Sequence, residues 1–504
     1  MKKFFMPLFL LGILFTSCSK DDVVEEVEEK KEEVEPVELT AEEKKDLEIK
    51  DFIWKSMNNI YLYKSHIPEL ADNYFSTQAD LDEYLLKWDT PDDLFYSGLV
   101  ADEDRFSWIV EDYEELESYL QGSSKSAGFR YGLVYAPNST TKVLAYVIYV
   151  SPNGPAEAAG LKRADYISKV NGTDITVNNY QSIFNPDNLE LGLSTIEDGF
   201  LVEVEDPINV TKSVFKENPI AVEKIFTVEG VKIGYLYLSS FLGEFGIDDV
   251  KLNETFGRFK SENIEELIVD LRYNGGGYSE FSSDLASMVT GQFNGEIFTQ
   301  EVWNDDYQSY WQQNNPEYLY SRYNNEISNG EAINSLNLNR VHIIETGRSF
   351  SASESFLIGL EPYIEVIHVG TQTGGKFQGS ITLYDSEGLT NKKNINPNHK
   401  YAIQPLIYKF ANANGYTDFV DGLIPDIRIE EDINNLGQLG ELDEPLLART
   451  IEAITGVSSV SAAYQKKADE HALDFREIPM EDEKGFFISL DDPKNQLPFI
   501  FNKK

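Results

Sequence analysis

The stretch RVHIIETGRSFSASESFLIGLEPY, residues 340–363, decides how this chain is built. Its first part, RVHIIET, is a short apolar run rich in β-branched residues and reads as a buried strand. ASESFLIGLEPY then reads as a helix. The turn between them opens a row of alternating serines, Ser349, Ser351, Ser353 and Ser355. Strand followed by helix is the unit of a layered α/β core. Working outward, VKIGYLYLSSF (231–241), IEELIVDLRYNGGG (264–277) and IEVIHVG (364–370) read as further buried strands, and EPLLARTIEAITG (444–456) as a second helix. The α/β core is thus expected over 221–455.

Upstream the texture changes twice. LEIKDFIWKSMNNIYLY (47–63) and QADLDEYLLKWD (78–89) repeat bulky residues at three- and four-residue intervals, and Asp89, Thr90 and Pro91 break the run. This gives a helical N-terminal domain over 41–125. Residues 126–220 read instead as short strands and turns. VLAYVIYV (143–150) suits a strand, and GPAEAAGLKRADYISKVNGTDI (154–175) gives a short helix, a stop at Gly160, a strand and an Asn171-Gly172 turn. The whole is an α/β, multidomain α+β chain of 504 residues, longer than one ordinary core.

The amino terminus, MKKFFMPLFLLGILFTSC, has two lysines and then an apolar run too short to span a bilayer comfortably. It reads as a signal peptide over 1–18. Cys18, the sole cysteine, follows Phe-Thr-Ser in a pattern that resembles a bacterial lipobox, with Phe15 where leucine is usual. That resemblance implies lipidation of Cys18 and anchoring to the outer membrane of the cell envelope, on its periplasmic or outer face. Residues 21–50 hold 14 acidic and 5 basic residues, a local net of −9. Such a segment buries too little to fold alone, so 19–40 reads as a tether. Residues 456–504 carry no assignment.

Composition excludes several functions. A formal net charge of −43 argues against nucleic acid, whose phosphates require clustered cations. One cysteine rules out disulfides within the chain. Five histidines without an HExxH spacing argue against a zinc hydrolase, and no metal or organic cofactor is expected.

The serines pose the chemical question. A hydroxyl becomes a nucleophile only with a base at hand and donors for the developing oxyanion. GRSFSASE does not match the GxSxG elbow. GTQTGGKFQGS (370–380) places Lys376 behind two glycines, 25 residues after Ser351. Ser351 and Glu354 also fit the S-x-x-E capping box of a helix start, and a nucleophile there gains the exposed N–H groups of the first turn. Ser349, Ser353 and Ser355 read as hydroxyls that satisfy nearby backbone.

Taken together, SASE (351–354), Lys376, IVDLRYNGGG (268–277) and GYTDFVDGLIPDIRIEED (415–432) resemble the tail-specific, or C-terminal processing, serine peptidases. SPNGPAEAAGLKRADYISKVNG (151–172) resembles their PDZ domain, with Ala164 where glycine is usual. Gly275 stands in place of the usual proline. The resemblance covers roughly residues 45–455 and implies a Ser–Lys dyad, with Ser351 as nucleophile and Lys376 as general base. It offers Gly276 or Gly277, together with Ala352, as backbone oxyanion donors. It makes Tyr131, Gly132, Leu133 and Val134 a peptide-binding loop, and protein or peptide the substrate. Where the family often has a glutamine four residues after the lysine, this chain has Ser380. Gln378 and Ser380 both remain open as the group that orients Lys376. A lysine ordinarily titrates near 10.4, so burial must overcome the acidic balance of this chain. The rival reading is a peptide- or ligand-binding surface lipoprotein that keeps the scaffold without catalysis.

Overall fold

The computed structural model describes residues 39–197, 200–457 and 475–478. The expected signal peptide with Cys18, nearly all of the segment read as an acidic tether and most of 456–504 lie outside the described residues.

A six-stranded sheet organises the molecule, in the order Ile220–Val228, Val231–Leu238, Glu266–Asp270, Arg340–Glu345, Glu365–Gly370, Ile427–Arg428. The first pair is antiparallel and the rest are parallel. All four stretches read as buried strands form neighbouring strands of this sheet. Alternate residues serve its two faces, as pleating requires. Leu236, Leu238, Leu267, Val269, Val341 and Ile343 face one interior with helices Asp248–Ser261, Ser279–Thr290 and Ala352–Leu360. Tyr235, Tyr237, Ile268 and Ile344 face the other, under helix Pro445–Thr455.

The parallel strands fix where the site lies. Each of three adjacent strands, ending at Asp270, Glu345 and Gly370, delivers a loop at its carboxyl end. These are 271–277, 346–351 and 371–376. Loops that leave neighbouring parallel strands at one edge make a shared crevice.

The N-terminal helices have no core of their own. Ile49, Phe52, Ile53 and Phe95 belong to the same apolar cluster as Phe256, Leu357 and Ile403. Strand Trp108–Val110 pairs with Ala402–Gln404, and the Leu62 N–H donates to the Leu406 carbonyl (2.9 Å). A second sheet, absent from the sequence reading, joins Tyr320–Arg322, Ile297–Trp303, Leu406–Asn412 and Gln378–Ser380 in antiparallel order.

The β-rich module has its own interior around Leu133, Val147, Ile167 and Leu191. Helix Pro155–Ala159 ends at Gly160 in the left-handed conformation (φ 92°). Ala164 adopts φ 74°, so the turn keeps its shape without glycine, against a steric penalty of roughly 1 kcal/mol. Residues Tyr131–Val134 lie inside strand Phe129–Tyr135, not in a loop, because they pair residue by residue with Val143–Val150. The module docks on the core through two arginines. Arg163 bonds to Glu431 (2.7 Å) and to the Tyr273 hydroxyl (2.7 Å), and Arg130 bonds to the Tyr273 carbonyl (2.8 Å).

Candidate active site

The four serines separate cleanly. Ser349 Oγ donates to the Leu271 carbonyl (2.8 Å), Ser353 Oγ to the Asn274 carbonyl (2.9 Å) and Ser355 Oγ to the Ala352 carbonyl (3.0 Å). These three fasten the helix start to the glycine turn and to itself. Ser351 Oγ is fully buried and has no hydrogen-bond partner among the described residues. Its backbone is also held at φ 59° and ψ −108°, a conformation that a non-glycine residue keeps only when its surroundings impose it.

Glu354 imposes it. One of its carboxylate oxygens, Oε2, accepts the N–H of Ser351 (2.7 Å) and the N–H of Lys376 (2.8 Å). The other, Oε1, accepts the N–H of Gly375 (2.7 Å) and the Thr373 hydroxyl (2.6 Å). Since both backbone nitrogens contact one oxygen, they stand at most about 5.5 Å apart. Residues 25 positions apart in sequence are thereby pinned side by side. Burial pushes the Glu354 carboxyl up to about 7, and the four donors oppose that push. The sequence signal, S-x-x-E, marked Glu354 as a cap; its bonds to the lysine loop were not legible there.

Lys376 is 1% exposed. Burial pushes its amine down to about 7, against the pull of the Asp104 and Glu354 carboxylates. Those two acids are engaged elsewhere: Asp104 accepts from the Tyr61 hydroxyl (2.7 Å) and from the N–H groups of Phe106 (2.9 Å) and Ser107 (2.8 Å). The Phe106 ring, its centroid 5.1 Å from Nζ, closes one side, and it packs against Phe350 beside Ser351. Arg105 donates to the Gly375 carbonyl (3.1 Å) and the Val420 carbonyl (3.3 Å). The N-terminal helical region therefore walls the lysine from water, a role that no sequence motif announced.

The glycine turn reaches Ser351 directly. A Cβ on Gly276 would stand 3.0 Å from Ser351 Cβ and 3.2 Å from the Ala352 nitrogen. A Cβ on Gly277 would overlap Phe241, 2.2 Å from its carbonyl carbon. Both positions require glycine. Of the two offered donors, however, the Gly276 N–H is committed to Asn274 Oδ1 (2.9 Å). This corrects its reading as an oxyanion donor. Among the described residues no bond of that kind ties the Gly277 N–H, and Ala352 is the first residue of its helix, where an N–H lacks an intrahelical acceptor.

Gln378 and Ser380 are both buried on strand Gln378–Ser380. Gln378 Nε2 donates to the Tyr63 hydroxyl (2.9 Å), while its Oε1 has no partner among the described residues. The ladder to Leu406–Asn412 shifts register opposite Ser380, where the extra residue, Ile407, lies on the partner strand, so Gln378 and Ser380 keep the two-residue alternation and share one strand face. Among the described residues no group of three or more histidines, cysteines or acids is gathered as a metal site.

Comparison with known proteins agrees with this architecture. The family model described as Peptidase family S41 matches residues 232–429, and that described as Peptidase S41 N-terminal domain matches residues 48–108. Among solved structures, an S41 protease of Bacteroides fragilis superposes with a TM-score of 0.62 at 23% identity, over 81% of this chain and 97% of that one. The photosystem II D1 C-terminal processing protease gives 0.46 at 17% identity, over 82% and 97%. Mature CPAF gives 0.44 at 13% identity, over 82% and 98%. No curated protein sequence matches. The two matched segments carry the wall around Lys376 and the loops bearing Ser351, Lys376 and the glycine turn, and on that footing the chain belongs to peptidase family S41.

Proposed function

We propose that the protein is a serine endopeptidase working through a Ser351–Lys376 dyad on polypeptide substrates. The observation that carries this reading is a buried lysine whose amine is pushed down to about 7 and whose backbone N–H shares one Glu354 oxygen with the N–H of a strained serine, whose own hydroxyl has no partner among the described residues. In the acylation step Ser351 Oγ bonds to the substrate carbonyl carbon while its proton passes to the neutral Lys376 Nζ. The N–H groups of Gly277 and Ala352 receive the oxyanion. Collapse breaks the C–N bond, and Lys376 returns the proton to the departing amine. A water, activated by the same lysine, then attacks the acyl ester and frees Ser351.

The β-rich module serves as a PDZ-like docking element that accepts an extended segment along strand Phe129–Tyr135. Lipidation at Cys18 would hold the enzyme on the outer membrane, with the acidic tether spacing it from the surface. The direct test is Ser351→Ala on the full chain. Hydrolysis of a permanently unfolded protein should vanish while thermal unfolding scarcely moves. Persistent hydrolysis by the purified variant would refute the dyad.

A further inference from the structure

The edge of the β-rich module is already occupied by the chain itself. Strand Phe129–Tyr135 has one side taken by Val143–Val150. On its other side lies Glu477–Ile478, antiparallel, with Glu477 opposite Val134 and Ile478 opposite Leu133. The Tyr135 N–H donates to the Arg476 carbonyl (2.9 Å), continuing the ladder. Side chains reinforce it at each position. The Phe475 ring packs 5.6 Å from Tyr166, and the Arg476 guanidinium lies 4.1 Å over Tyr135. Glu477 accepts from the Tyr146 hydroxyl (3.2 Å), and Ile478 packs against the interior that holds Leu133, Ala156 and Leu161. Backbone pairing along an edge with an apolar side chain seated in a pocket is how an added peptide strand is recognised.

Direction matters as much as contact. A strand antiparallel to Phe129–Tyr135 enters at Tyr135 and runs toward Phe129. Along that path it meets Arg130, whose guanidinium holds the Tyr273 carbonyl, one residue before the Asn274 that fixes Gly276. The edge thus leads from the module's outer end toward the catalytic turn, and residues 476–478 sit at its entrance.

We propose that residues 475–478 are a tethered strand ligand on the Phe129–Tyr135 edge, which a substrate polypeptide displaces in order to dock. This rests on the reading of the module as the substrate-accepting element. Because the segment belongs to the same polypeptide it competes intramolecularly, at an effective concentration on the order of millimolar, enough to filter weak peptides while admitting those that bind the edge well.

The test uses a fluorescein-labelled synthetic peptide of residues 473–480 (LDFREIPM) and the full-length protein. Ile478→Pro removes the N–H that the ladder requires, and Ile478→Asp removes the apolar contact while keeping the backbone. Fluorescence anisotropy should show both variants binding the probe about tenfold more tightly than the wild type. Equal affinity in all three overturns the proposal, as does absence of binding to any of them at millimolar protein. In parallel, hydrolysis of an unfolded protein should show a lower KM for the variants at unchanged kcat. If the wild type hydrolyses nothing, the peptidase reading fails by itself, and the anisotropy comparison still decides the tethered strand.

Discussion

Two cations lie fully buried in neighbouring loops of this molecule, and they meet opposite fates. Arg272, two residues beyond its strand, is clasped by Asp270 (2.7 Å), by Glu444 through both terminal nitrogens (2.6 and 2.8 Å) and by Glu431 (3.3 Å). Those carboxylates raise its already high pKa further, in spite of burial. Lys376, six residues beyond its own strand, is pushed down to about 7. The difference does not come from a shortage of acids, since Asp104 and Glu354 both act on the lysine. It comes from where those acids are committed. Asp270 and Glu444 meet the Arg272 guanidinium directly, whereas Glu354 and Asp104 are occupied by backbone N–H and hydroxyl donors. A buried charge whose neighbours compensate it holds architecture together, and a buried charge dominated by desolvation becomes a base.

The sharpest way to break this contrast is Lys376→Met. Hydrolysis of an unfolded protein should fall by ~10⁴-fold or more, the scale of losing a dyad member, while the folded state is not weakened at neutral pH. The wild-type folded amine loses its proton near 7 and the unfolded amine near 10.5. Between those values the unfolded state holds more protons, so wild-type stability rises with pH across that window. Denaturant titrations should therefore show the methionine variant gaining relative to wild type as pH falls from 10.5 to 7, with a constant difference below. The kcat/KM of the wild type should rise with pH around 7. An acid limb near 10 would mean that water reaches the amine.

Arg272→Met is the converse experiment. It leaves Asp270 and Glu444 buried without their cation, and the cost should be roughly 3–5 kcal/mol in equilibrium unfolding. A loss below about 1 kcal/mol would show that the cluster is not what fastens helix Pro445–Thr455 to the sheet.

Glu354→Gln sharpens the comparison within the site. The amide can present one oxygen, so two of the four donors would face an NH₂ group. We expect a loss of stability of about 1–3 kcal/mol and a fall in kcat of ~100-fold through misplacement of Ser351 against Lys376. Preserved kcat would remove Glu354 from its positioning role. The smallest effect belongs to Arg105→Ala, which frees the Gly375 and Val420 carbonyls at an exposed edge. A few-fold drop in kcat with unchanged unfolding is the expected outcome, and a drop as large as that of Glu354→Gln would contradict it.

Parts of this organisation were legible from local pattern. The four β-branched and apolar runs became neighbouring strands because a strand buried on both faces must be apolar throughout. The turn at Asn171-Gly172 appears with both residues at positive φ (52° and 73°), as that dipeptide favours. The second sheet escaped because two of its four strands, Tyr320–Arg322 and Gln378–Ser380, are three residues long, which leaves no period to read. Gly276 was offered as an oxyanion donor because sequence cannot say that Asn274 would turn back onto its N–H. The wall of Tyr63, Asp104 and Phe106 was invisible for a similar reason, since those residues lie some 270 or more positions from the lysine they enclose.

What the sequence by itself determined is the set of local devices: which runs are strands, where glycine is obligatory, and that Ser351 begins a helix with Glu354 three residues on. Those depend on neighbours within a few positions, whose spacing is written in the chain. Tertiary structure alone decided which hydroxyl stayed without a partner, which carboxylate joined two distant loops, and how far an amine could be drained of its charge. Each of these depends on exclusion of water by groups remote in sequence, and solvent exclusion has no period for a reader of sequence to find.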